Sequence, residues 1–299
     1  MCQRNSLTLV SESSTFEDMT LPSYVAMALA GGLGMYFGIG GWFEWFFYRR
    51  RRDRAAEWKC QPRRFAPARV QRRDLLLGTA NMIGASCLSG VLAWRIATDN
   101  PTRVYFGGHG VGFGVAMTLA YFLATDVALY GAHRLLHRPA LFRRIHRWHH
   151  RNTTPTAFTS ASMHPVEFLI YQSLVMLPLF LMPLPLWGLI FVLVYQNFVA
   201  LLDHSGVKLR SRLPWQPPPR FHDDHHMYFH VNYGQTLGVW DRVFGTWRRE
   251  GRVYGEHVFG GRGAPVSAEA SKAARPRYVR YDGDGSAAAS DDPAREAVR

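Results

Sequence analysis

"YVAMALAGGLGMYFGIGGWFEWFFYRRRRDR", residues 24–54, runs through twenty-five positions with a single charge, Glu44, and then places five arginines in six. At 1.5 Å of rise per residue, the apolar part is long enough as a helix to cross the ~30 Å of hydrocarbon in a bilayer. The arginines that close it are expected to stay on the cytoplasmic side, which puts the residues before it on the other side. The reading is therefore of a membrane protein, although the mean hydropathy over the chain, −0.13, resembles that of a soluble one. Polar ends and an arginine-rich loop at 49–73 dilute the average.

Further apolar stretches follow. Residues 75–97, "LLLGTANMIGASCLSGVLAWRIA", carry the chain out, and 111–131, "VGFGVAMTLAYFLATDVALYG", bring it back to the basic "HRLLHRPALFRRIHRWHHR". Residues 166–202 are apolar but broken by "MPLPL" at 182–186, so two buried segments are expected, joined at Pro183 and Pro185. This parity leaves 132–165 and everything after 203 on the cytoplasmic face. Residues 1–22 read as a polar segment without a cleavable signal, and the periodicity-free 251–299 as a disordered tail.

The formal charge of +13 sits in blocks that flank apolar segments rather than along one face, which argues for membrane topology and against nucleic acid. Cys2, Cys60 and Cys87 are odd in number and lack metal or redox spacing, so neither a disulfide framework nor a thiolate site is indicated.

Eleven of the thirteen histidines fall between 133 and 230. "HRLLH" spaces His133 and His137 by four; "HRWHH" and "HDDHH" space His146, His149 and His150, and His222, His225 and His226, at i, i+3 and i+4. On helices these spacings aim imidazoles from one face. Eight such rings, with His204 of "LLDHSG" a ninth, exceed the four ligands of a structural zinc and suit two metal ions; imidazole alone leaves Zn, Fe, Cu and Ni open. The alternative is a solvated, basic membrane-surface loop. Asp126 and Tyr130 share a helix face with His133 and His137, and Asp126 is expected to accept a ring N–H from a ligating histidine. Asp203, Asp223, Asp224 and Asp241 are further candidates, equally readable as solvated surface. His164 of "MHPVEF" is either a ligand or a partner of Glu167. His230, His109 and His257 are read as non-ligands.

"DVALYGAHRLLH", "IHRWHH", "MHPVEF", "LLDHSG" and "HDDHHMYFHVNYGQTLGVWDRVFGTW", within 126–247, resemble the membrane-bound fatty acid hydroxylase and sterol desaturase superfamily, and "EWKCQP" is similar to the same proteins. The resemblance implies an all-α, integral membrane four-helix-type bundle under a cytosolic, histidine-rich di-metal cap, with N-terminal spans and basic loop in 23–110 and the catalytic domain in 111–250. It implies an O2-dependent enzyme with two Fe ions, replaceable by Zn on overexpression, that hydroxylates or desaturates a sterol or other long-chain lipid. The eight motif histidines are its implied catalytic ligands, with His204 a further one. Fragments resemble sterol C5-desaturases, C4-methylsterol oxidases and the cholesterol 25-hydroxylase group. No GxGxxG opening a βαβ unit and no fused heme domain is evident, so electrons are expected from a partner such as cytochrome b5 or a ferredoxin with its reductase. The endoplasmic reticulum is implied for a eukaryotic host and the cytoplasmic membrane for a bacterial one. A non-catalytic zinc protein or metal carrier is the reading of a different class; a carrier places its ligands near the midplane of broken spans.

Overall fold

The computed structural model describes residues 19–249. Helix α1, Leu21–Phe43, starts with Pro22 in its first turn, where the missing N–H costs nothing, and continues as a π-helical segment, Glu44–Arg49. Helix α2 is Ala68–Thr98, α3 is Val111–Leu136, α4 is Pro165–Met176 and α5 is Leu186–Asp203; α1 with its π extension, α2, α3 and α5 are long and apolar enough to cross a membrane. Large apolar side chains cover their outer surfaces, among them Leu76, Leu88, Leu119 and Phe191, each more than half exposed. In water such a surface is a liability; in lipid it is the solvated face.

The proline-broken stretch behaves as expected. Helix α4 tightens into a 3-10 turn, Leu177–Phe180, at Pro178, and the Val175 carbonyl beside the break accepts Tyr121 Oη at 2.9 Å. The chain then reverses through Pro183 and Pro185 into α5. The fold is mostly helical, as expected, and here Val104–Tyr105 and Leu184–Pro185 pair as a two-residue parallel ladder. The loop between α2 and α3 and the α4–α5 turn thus meet at one end of the bundle. At the other end the 50–67 loop bridges to Val207, the Ala157–Ala161 turn packs on α1, α2 and α5, and the Pro219–Tyr228 helix packs on α5.

Helices α1 and α2 pack most extensively. Their closest approach needs a glycine, because a Cβ on Gly90 would lie 2.6 Å from Val25 Cα, a backbone atom that cannot swing away. Gly90→Val should therefore lower stability by about 1–3 kcal/mol, seen as a lower thermal midpoint in detergent. Gly206, at φ +66°, turns the chain out of α5; a Cβ there would sit 2.8 Å from the Pro155 carbonyl oxygen.

Candidate metal centre

Three short segments hang the histidines over the bundle. His133 and His137 close α3, His146–Arg151 form a 3-10 turn, and α6, Pro219–Tyr228, carries the third motif. All eight motif rings and His204 are buried. They separate into two sets whose candidate ligand atoms lie within 4.8 Å of one another: His133, His137, His146, His150 and His225; and His149, His204, His222 and His226. Each HxxHH motif splits between them. The i and i+4 rings of the first go to the larger set and its i+3 ring to the smaller, and in α6 the assignment is reversed.

The far nitrogen of six rings is fixed. Nδ1 of His133 meets the Tyr233 carbonyl at 2.8 Å, His149 that of Ser162 at 3.3 Å, His204 that of Ala200 at 2.7 Å, His225 that of Val231 at 2.6 Å and His226 that of Asn152 at 3.0 Å. His146 Nδ1 meets Glu167 Oε1 at 2.6 Å. A carbonyl oxygen only accepts, so in those five rings the proton is on Nδ1 and Nε2 presents a lone pair. Yet His149 Nε2 and His204 Nε2 face each other at 3.1 Å, with His222 Nε2 3.0 Å from His204 Nε2; in the larger set His225 Nε2 is 3.0 Å from His150 Nε2. His149 and His204 both carry their proton on Nδ1, so their facing Nε2 lone pairs repel at this range unless a cation lies between them. Nitrogens around a tetrahedral ion with bonds of about 2.1 Å sit about 3.4 Å apart, so the donor sets fit. The buried, unpartnered nitrogens of His137, His146 Nε2 and His226 Nε2 fit the same role.

Burial, reinforced by neighbouring imidazoles, holds His137, His149, His150, His222, His225 and His226 well below the ordinary histidine range, and burial lowers His204 to about 4. The rings are neutral and ready to bind metal. The unfolded chain protonates them near pH 6.5, so the metal-free protein should keep its stability above that pH. It should lose it as pH falls from there toward the folded values, by up to about 1.4 kcal/mol per pH unit for each group. Thermal melts of metal-stripped protein between pH 8 and pH 5 read this directly.

Several supporting residues differ from expectation. Asp126 does not touch a histidine: it lies two turns above His133 and accepts Trp240 Nε1 at 2.7 Å. Tyr130 Oη pairs with Thr246 Oγ1 at 2.8 Å instead. His164 belongs to neither set; it is the N-cap of α4, where Nδ1 accepts the Val166 N–H at 3.2 Å, and Glu167 pairs with His146 in its place. Asp203, Asp223, Asp224 and Asp241 are buried rather than solvated. Asp223 accepts Gln61 Nε2, Asp224 binds Arg220 and Arg248, and Asp241 caps the N–H groups of Tyr233 and Gly234. Burial raises the Asp241 carboxyl to about 6. His230 lies outside both sets. His257 and the 251–299 tail lie outside the described residues, as does most of the 1–22 segment. Cys60 and Cys87 are free thiols.

Two supports were missed. Asp74, buried at the start of α2, accepts Asn152 Nδ2 at 2.9 Å, Thr159 Oγ1 at 3.0 Å and Ser162 Oγ at 2.8 Å. Asn152 and Ser162 supply the carbonyls that orient His226 and His149, so Asp74 holds the smaller set from behind. A single acid at the mouth of a span was its signal. Asp74→Asn should weaken metal retention about 10- to 100-fold, measured by chelator competition. The second support is "EWKCQP": Gln61 donates to Asp223 at 3.0 Å, the Cys60 carbonyl accepts Arg220, and buried Lys59 donates to Thr154 at 2.9 Å. The loop clamps α6 from outside.

Below the cage a cavity of about 120 Å³ is bounded by His133, His149 and His204 on one side and by α4 and α5 on the others. It shares Leu193 with an apolar cavity of about 750 Å³ that runs toward the far end, along α1, α2 and α5.

Four helices long and apolar enough to cross a membrane thus lie beneath two buried imidazole sets that could each hold a metal ion. Residues 118–246 match the fatty acid hydroxylase family, the stretch that holds all three histidine motifs. The chain is 36% identical over 148 residues to the Delta(7)-sterol 5(6)-desaturase of Saccharomyces cerevisiae, covering 49% of this chain and 40% of that one. It is 34% identical over 145 residues to fatty acid hydroxylase domain-containing protein 2 of Homo sapiens, covering 48% and 42%. It thus spans less than half the length of these relatives. No solved structure matches it.

Proposed function

We propose that the chain is a membrane-bound, O2-dependent di-iron oxidoreductase that hydroxylates or desaturates a sterol or other long-chain lipid. The observation that carries this reading is the convergence of buried histidine nitrogens in two neighbouring sets at the head of a cavity that adjoins a large apolar one. The names of the relatives, a sterol desaturase and a fatty acid hydroxylase domain protein, support the lipid class. When bound, two iron ions supply the oxidising power that an unactivated C–H bond demands and that no side chain possesses.

The chain's own residues do the rest. The nine histidines would hold the ions, the carbonyls and Glu167 fix the tautomers of six of them, and the cavities keep the lipid dry and aligned. Arg134, Arg138, Arg143, Arg144, Arg147 and Arg151 are exposed around the cage end. They form a basic surface for an acidic electron donor such as cytochrome b5 or a ferredoxin, and under the positive-inside rule that surface is cytosolic.

Lipid profiling of cells expressing the chain with and without His149→Ala, under iron-replete conditions and with a donor present, tests the proposal. A lipid that gains one oxygen atom or loses two hydrogen atoms only with the intact chain supports it. An unchanged lipid profile contradicts it and favours a redox-silent zinc protein.

A further inference from the structure

The cage does not use all of Glu167. This carboxylate lies in the first turn of α4, is 0% exposed and gives Oε1 to His146 Nδ1. Its Oε2 is buried with no partner, and the residue lines the cavity below the cage among Leu129, Met163 and Phe168. A buried acceptor without a donor is costly; Ser160, Tyr171, Gln172, Gln196 and Asn197 share the cavity wall, yet none of them bonds Oε2, which leaves the donor to what fills the cavity.

We infer that Glu167 Oε2 accepts a hydrogen bond from a hydroxyl on the lipid, close to the carbon that reacts. The inference rests on the lipid oxidoreductase reading above. It also fixes the polarity of the bound lipid. The hydroxyl end lies against His133, His146 and His149, while the hydrocarbon passes Leu193 into the cavity of about 750 Å³, whose lining is nearly all apolar. Oxidation then falls near the hydroxyl-bearing end of the molecule, not at the tip of its tail. Alcohols are selected over ketones and ethers of the same skeleton, which accept but cannot donate.

Binding of cholestanol, its 3-ketone and its 3-methyl ether to the purified full chain in lipid nanodiscs tests this without turnover. The intact chain should bind the alcohol at least about tenfold more tightly than the other two, the effect of one buried acceptor left unpaired. Glu167→Gln keeps an oxygen for His146 and turns the second position from acceptor into donor, so the preference should collapse or invert in favour of the ketone. Looser support of His146 would lower metal retention but would leave the alcohol-to-ketone ratio unmoved. Equal binding of the three lipids by the intact chain overturns the inference, whatever the fate of the variant. So does an unchanged ranking in Glu167→Gln. Oxygen-dependent conversion of a lipid without a hydroxyl overturns it while leaving the oxidoreductase reading intact. A chain that holds no metal defeats that reading and with it the inference, even if the alcohol is preferred.

Discussion

Under the proposed function, replacing His204 by alanine should lower the metal content from two ions per chain to one and reduce lipid conversion by more than about a hundredfold. His204 is one of only four rings in the smaller set, and its Nε2 lies 3.1 Å from that of His149 and 3.0 Å from that of His222. Three remaining rings hold an ion weakly, and loss of a ligand itself should exceed the about 10- to 100-fold that loss of an outer partner costs. The larger set has five rings and should keep its ion. His164→Ala is the matched control. That ring caps α4 and touches neither set, so both ions should remain and the loss should be about 1 kcal/mol of stability. Metal analysis of the two purified variants, with lipid turnover alongside, separates them.

Asp224→Ala should be the most damaging change outside the histidines. The carboxylate is 0% exposed and receives Arg220 Nε at 2.9 Å and Arg248 Nη1 at 3.2 Å. Arg220 also donates to the Cys60 carbonyl, and Arg248 to Tyr228 Oη at 2.9 Å, so this ion triad ties α6 to the 58–64 loop and to the strand of chain after Trp247. Removing the acid takes away the carboxylate that the two buried guanidinium groups share, although Asp223 stays near Arg220, at a cost of about 3–5 kcal/mol. For a chain of this size that lowers the thermal midpoint by about 10 °C. Replacing the whole triad with apolar residues of similar volume should recover most of that loss, because the penalty comes from uncompensated charge rather than from the absence of an ion pair.

Much of the metal centre was legible because histidine spacing and membrane parity are both strong signals. The i, i+3, i+4 pattern selected six rings and the i, i+4 pair of HRLLH two more, and the alternation of apolar segments with basic loops brought 133–150 and 222–226 to one end. The allocation of rings was not legible. Rings three and four positions apart diverge by only a fraction of a helical turn, and which of them reaches which ion depends on how α6 crosses the 146–151 turn. The ring anchors were also hidden, since five are backbone carbonyls, which every residue possesses. Asp126 was misassigned for a related reason: sharing a helix face with His133 does not overcome the two turns that separate them. Glu167 lay in a quoted motif, but sequence neighbours pointed to His164, whereas the fold brings His146 to it from twenty-one positions away.

The paired cage is tested most directly by metal content and X-ray absorption on the purified full chain, grown with iron. Two ions per chain, each surrounded by nitrogen at about 2.1 Å and without sulfur, are the predicted result. A single ion per chain, or sulfur among its ligands, would contradict the division of nine histidines into a set of five and a set of four.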